Sequence, residues 1–110
     1  VLDLARGVRD ALLTACDTVE YHWPEKFAKI PCISYYELHN GEYRHADDGE
    51  YMSEIHFNVD VWAKTGVAAS ELAARVSDAM RAIGFTRQNS HDIHDGSKLR
   101  RKNMTFKTIR

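Results

Sequence analysis

The sequence predicts an α+β fold, a two-layer sandwich in which two helices cover one face of a mostly antiparallel four-stranded sheet, in the order α-β-β-α-β-β. Three observations lead there. Apolar residues recur at helical spacing in two stretches, Leu2 to about Val19 and Val67 to Ile83. Between Glu54 and Trp62 apolar and polar residues alternate strictly, as in a strand with one face on a core. The strand-like segments come in two consecutive pairs with connections short enough for antiparallel hairpins, which leaves both helices free to pack on one face.

Each element has its own justification. In the first helix Leu4, Ala5, Val8, Leu12, Ala15, Cys16 and Val19 fall at steps of three and four. Leu13 lies off the stripe, Gly7 costs helix propensity, and Tyr21-His22-Trp23-Pro24 ends the segment, because proline biases the preceding residue away from helical geometry. After Pro31, "CISYYEL" (Cys32 to Leu38) is β-branched and aromatic and leads into a turn at His39-Asn40-Gly41. The polar stretch Asn40 to Glu50 is too long for a two-residue hairpin. It is either an extended arm with a few strand residues around Tyr43 or a flexible loop. In "EIHFNVDVWAK", Ile55, Phe57, Val59 and Val61 point one way and Glu54, His56, Asn58, Asp60 and Trp62 the other. Thr65-Gly66 opens the second helix, Leu72, Val76, Ala79, Met80 and Ile83 form its stripe, and Gly84 sits at the C-terminal cap. Two strands follow, Phe85 to about Ile93 and about Arg100 to Ile109, joined through the turn residues Asp95-Gly96-Ser97.

Composition bounds the function. The 110 residues suit one domain spanning 1–110, and 44% hydrophobic residues support a modest core. A domain this small leaves much of its surface wet, so oligomerisation is a natural source of further burial. A formal charge of −1 gives no overall pull toward nucleic acid or an anionic membrane. No apolar run approaches the roughly 18 to 20 residues of a membrane span. Cys16 and Cys32 have no CxxC spacing and read as reduced thiols of a cytosolic chain.

The most tempting chemistry is "SHDIHD", with His91, Asp92, His94 and Asp95 close together. On a strand, His91, Ile93 and Asp95 share one face and Asp92 and His94 the other, whereas a zinc or iron site needs three or four converging ligands. Partners would have to come from His56 or Asp60 on the long strand. No HExxH, spaced Cys/His quartet, calcium loop, GxSxG elbow or phosphate-binding glycine loop occurs. The reading is therefore no catalytic residue, no metal site and no cofactor. The competing reading from another class is a small metal-dependent hydrolase using His56, His91 and His94. A different pairing suggests assembly. Asp47, Asp48 and Glu50 make an acidic loop, and Lys98, Arg100, Arg101 and Lys102 a basic cluster, which suits a head-to-tail subunit or partner interface.

The succession "IPCISYYEL", polar loop, "YMSEIHFNVDVWAKT", "ELAARVSDAMRAIGFTRQNSHD" and "LRRKNMTFKT" resembles the small tail-completion proteins of long-tailed phages and prophages. More narrowly it resembles the tail-terminator or tail-to-head-joining group, most of all over Val59 to Arg87. The resemblance implies a structural virion protein, located at the head-proximal tail end and assembled in the host cytoplasm. It implies a ring of six copies that caps the tail tube, stops its polymerisation and offers a docking surface to the head connector or neck protein. DNA would pass through the lumen without specific binding. A neck or minor tail adaptor of the same fold is the alternative. The family brings no catalytic residues, so the interface residues rest on physical grounds. The polar face Glu54, His56, Asn58 and Asp60 is expected to line the lumen or a subunit boundary. Trp62 is either an interface anchor or a strand-end Trp packed on its own subunit.

Overall fold

A computed structural model of the chain describes residues 2–21, 30–44, 51–93 and 99–109. Helix α1 spans Leu2–Ala15, followed by β1 (Val19–Tyr21), β2 (Cys32–Arg44), β3 (Tyr51–Ala63), α2 (Gly66–Ala82), β4 (Thr86–Ile93) and β5 (Arg100–Ile109). The sheet has five strands in the order β1-β2-β3-β5-β4, with β1 parallel to β2 and every other pairing antiparallel. The fold is α+β, but the expected four-stranded α-β-β-α-β-β order is corrected to α-β-β-β-α-β-β with a mixed sheet. The added strand is Val19-Glu20-Tyr21, three residues too short to carry a period of its own. Val19 continues the helical spacing from Cys16, so the stripe hid the end of α1 at Ala15.

The second correction concerns length. Strand β2 does not turn at His39-Asn40-Gly41 but continues to Arg44, paired with β3 as far as Arg44↔Tyr51. Of the two expectations for this region, the extended arm holds for residues 40–44. An Asn-Gly pair has turn chemistry only where the chain must reverse, and here β3 supplies ladder partners past it. A β-bulge between Glu37 and His39 takes up the irregularity.

The core lies between the sheet and the two helices. Ile55, Phe57, Val59 and Val61 of β3 join Val8 and Leu12 of α1, Leu72, Val76 and Met80 of α2, and Met104 and Phe106 of β5. Phe57 packs edge-on against Phe85 at 5.8 Å between ring centres. Arg75 of α2 donates to the Ala15 carbonyl at 3.3 Å, which ties one of the orphan carbonyls at the end of α1 to the second helix.

Helix α2 begins and ends where its sequence says. The Thr65 hydroxyl accepts the Ala68 N–H at 3.1 Å, an N-cap. At the other end Gly84 (φ 93°) donates to the Arg81 carbonyl and Phe85 to the Met80 carbonyl, the paired bonds of a Schellman motif. A side chain at Gly84 would have to adopt left-handed backbone, which explains the glycine. Among the described residues no helix is long and apolar enough to cross a membrane.

Candidate interaction surfaces

The face of the sheet turned away from the helices is built by alternation. Register places Ser34 of β2 opposite Asp60 of β3, and Asp60 opposite Asn103 of β5, so the three sit in one row. In the next row Cys32, Trp62 and Arg101 are aligned in the same way. Asn103 donates through Nδ2 to Asn58 Oδ1 (2.7 Å) and Asp60 Oδ1 (2.8 Å). Asn58 Nδ2 donates to Asp60 Oδ2 at 3.1 Å, and Arg101 Nε to Asp60 Oδ1 at 3.1 Å. The guanidinium of Arg101 lies 4.8 Å from the centre of the Trp62 ring, within cation–π range. Trp62 Nε1 in turn donates to Ser34 Oγ at 3.3 Å.

This row is closed within the chain. Asp60 and Trp62 are each 1% exposed and Asn58 6%, and among the described residues no buried side-chain N or O lacks a partner. Of the four residues expected to line a lumen or boundary, only Glu54 and His56 retain appreciable surface, while Asn58 and Asp60 are buried in their own chain. Trp62 likewise packs on its own subunit. A buried carboxylate is tolerable here because a guanidinium and two amides surround it.

The remaining predicted residues fall in several places. Asp47, Asp48, Glu50 and Lys98 lie outside the described residues, as do His94 and Asp95. Arg101 is held by Asp60, and Lys102 Nζ lies 3.6 Å from Asp92, so two of the three described residues of the expected basic cluster already have acidic partners. Arg100 is exposed and, with Arg101, Asp92 and the start of α2, borders an open cleft of about 300 Å³. Glu54 meets Lys107 at 2.8 Å and His56 at 3.9 Å, a half-exposed cluster beyond the buried row.

The histidines do not converge. His56 pairs across with Lys107, and Lys107 with Thr86, whereas His91 pairs with Asn103, five positions further along β4. Among the described residues no group of three or more His, Cys, Asp or Glu is placed to hold a metal ion. The two thiols, Cys16 and Cys32, are buried and unbridged. Burial pushes the Cys32 thiol up to about 11, with Cys16 and Glu20 adding to the effect, so it is a poor nucleophile at neutral pH. Burial also raises the Tyr35 phenol, opposed by Arg9 and reinforced by Tyr21 and Asp10.

Ser34 and Asn103 were not singled out from the sequence, although both belong to the buried row. Their signal was available in principle, since each occupies a polar position of an alternating strand. Only the register shows that those positions meet Asp60.

Known proteins resemble the chain at two levels. Its fold matches a chain of the solved "Virion of native gene transfer agent (GTA) particle" with a TM-score of 0.65 at 17% identity, covering 93% of this chain and 90% of that one. At that identity the likeness is one of fold. No curated protein matches the sequence significantly. The sequence model of the family described as "Tail completion protein gp17" matches residues 10–109, which takes in the C-terminal part of α1, all five strands and α2. The chain therefore belongs to the tail completion protein gp17 family and is a structural protein of the phage-type virion tail.

Proposed function

We propose that this protein caps the end of the tail tube as a ring of six subunits, stops tube polymerisation and provides the surface on which the head docks. The observation that carries the reading is the family match over 10–109, which spans the whole sheet. The chemistry of the polar face supports it. Its charged and amide groups are spent on one another, which suits a structural part and leaves no exposed acid–base pair in that row. The near-neutral chain suits a lumen through which DNA slides rather than sticks. A metal-dependent hydrolase gains no support, because His56 and His91 stand apart in the register.

Tails assembled in the absence of this protein test the reading by electron microscopy. Tubes of abnormal, unregulated length are expected. Tails of normal length that lack heads would instead assign a neck or minor tail adaptor.

A further inference from the structure

We propose that two copies of the free protein pair through β4, antiparallel about a two-fold axis at Ser90, into one continuous sheet. This goes beyond the ring reading and does not rest on it. A ring that caps one end of a tube is polar and holds no such axis, so the pair is a state of the protein before assembly.

Strand β4 is an open end of the sheet. Among the described residues it pairs with β5 alone, and every residue from Thr86 to Asp92 is exposed. Strands stand about 4.8 Å apart, and a chain reaches at most about 3.5 Å per residue. From Tyr21 past β4 and back to Cys32 is roughly 43 Å, against about 39 Å of fully extended chain. From Arg44 past β4 and back to Tyr51 is roughly 34 Å, against about 25 Å of chain. The link from Ile93 to Leu99 is shorter still and must return to β5, so none of these connections covers the edge from Thr86 to His91. Such an edge presents a row of backbone donors and acceptors ready for another strand.

Faces decide the register. Arg87, Ser90 and Asp92 stand opposite Phe106, Met104 and Lys102 and share the helix side, whereas Thr86, Asn89, His91 and Ile93 share the other. The bulge between Arg87 and Asn89 is what brings Arg87 onto the side of Ser90 and Asp92. Strand alternation allows a second copy to pair only like face with like. With Ser90 opposite its own counterpart, Asn89 falls opposite His91, Arg87 opposite Asp92 and Thr86 opposite Ile93, and Gln88 is passed over. Each of these three pairs lies on one face and forms twice.

The charges agree with this register. Arg87 Nη1 donates to Ser77 Oγ at 3.4 Å and Lys102 Nζ lies 3.6 Å from Asp92, which places both charged groups of the edge on the helix side. The Asp92 side chain is 68% exposed and has room for a second cation. Residues directly opposite across two strands have Cβ atoms about 4.5–5.5 Å apart, so each Asp92 meets the guanidinium of Arg87 from the other copy. The edge is complementary to itself. An axis at Asn89 would set Arg87 opposite Ser90, and one at His91 would set it beyond the end of the strand, so both lose the charge pair. Paired edges bury little apolar surface, so the copies part on dilution and free β4 for assembly.

Light scattering on the free chain over rising concentration tests the pairing. The mass is expected to climb from one copy to two and stop there. Arg87→Asp makes both charged positions of the edge acidic, and Asp92→Arg makes both basic. Each alone should weaken association about tenfold, and an equimolar mixture of the two should restore it. Ser90→Cys should form a disulfide-linked dimer on mild oxidation, while Asn89→Cys, displaced from the axis, should not. The native thiols are buried and leave the engineered one to report. All these positions are exposed, and variants that keep the unaltered protein's melting transition are used throughout. A mass of one copy at every concentration, with no dimer from Ser90→Cys, would overturn the proposal and leave the ring reading untouched. Dimers undiminished in both charge variants would put the contact elsewhere and overturn it. A mass rising past two copies toward a ring would overturn it in favour of a head-to-tail contact.

Discussion

On the helix-covered face of β3, Ile55, Phe57, Val59 and Val61 are buried among aliphatic and aromatic side chains. On the opposite face of the same strand, Asn58, Asp60 and Trp62 are buried among hydrogen bonds and one guanidinium. The first face is held by loss of apolar surface from water, which is non-directional and tolerates modest reshaping. The second is held by directional contacts whose failure leaves a charge or donor stranded. The difference teaches that a polar strand face is not by that fact a wet or partner-facing one. Among the described residues, polar surface remains on the exposed strand β4 and on the half-exposed Glu54, His56 and Lys107.

Four changes separate the two faces, taken from the largest expected effect. Phe57→Ala empties the middle of the apolar face and should lower unfolding free energy by about 3–5 kcal/mol, read from urea denaturation. Arg101→Ala strips the charge partner from Asp60 and should cost about 3 kcal/mol. Combined with Asp60→Ala it should cost clearly less than the two single losses added, because the second change removes the stranded carboxylate. Strict additivity in that double-mutant cycle would show that the pair is not coupled.

The third effect depends on pH. The folded Cys32 thiol is raised from its ordinary 9.0 to about 11. The folded state therefore holds its proton longer, and the associated stability is complete below pH 9 and is lost as pH rises toward 11. The loss should reach on the order of 2 kcal/mol and be absent in Cys32→Ala, with melting temperature against pH as the measurement. Smallest is Ser34→Ala, which removes the acceptor of the Trp62 indole N–H and should cost about 1 kcal/mol. A flat response there would mean that packing and the Arg101 contact alone hold the ring.

Particular residues show what the sequence made legible. Both helices were readable from their stripes, and α2 to its caps, because Thr65 and Gly84 act through local backbone geometry. The alternation of β3 and β5 gave the core face for the same reason. Strand β1 was hidden, since three residues carry no period and Val19 prolonged the helical one. The reach of β2 through Asn40-Gly41 was left open, because turn residues report local preference while a ladder partner is a long-range fact. The buried row failed for the same cause. Alternation marks Asn58 and Asp60 as opposite the core, but only register brings Ser34, Arg101 and Asn103 to them.

Hydrogen exchange on the free protein and on the same protein assembled on tails tests the account most directly. The amides of β3 and β5, already paired on both sides, should be slow in both states. New protection should appear on assembly along the exposed end strand β4, Thr86–Ile93. Protection gained on the outer faces of α1 and α2 alone, with β4 exchanging as in the free chain, would contradict it.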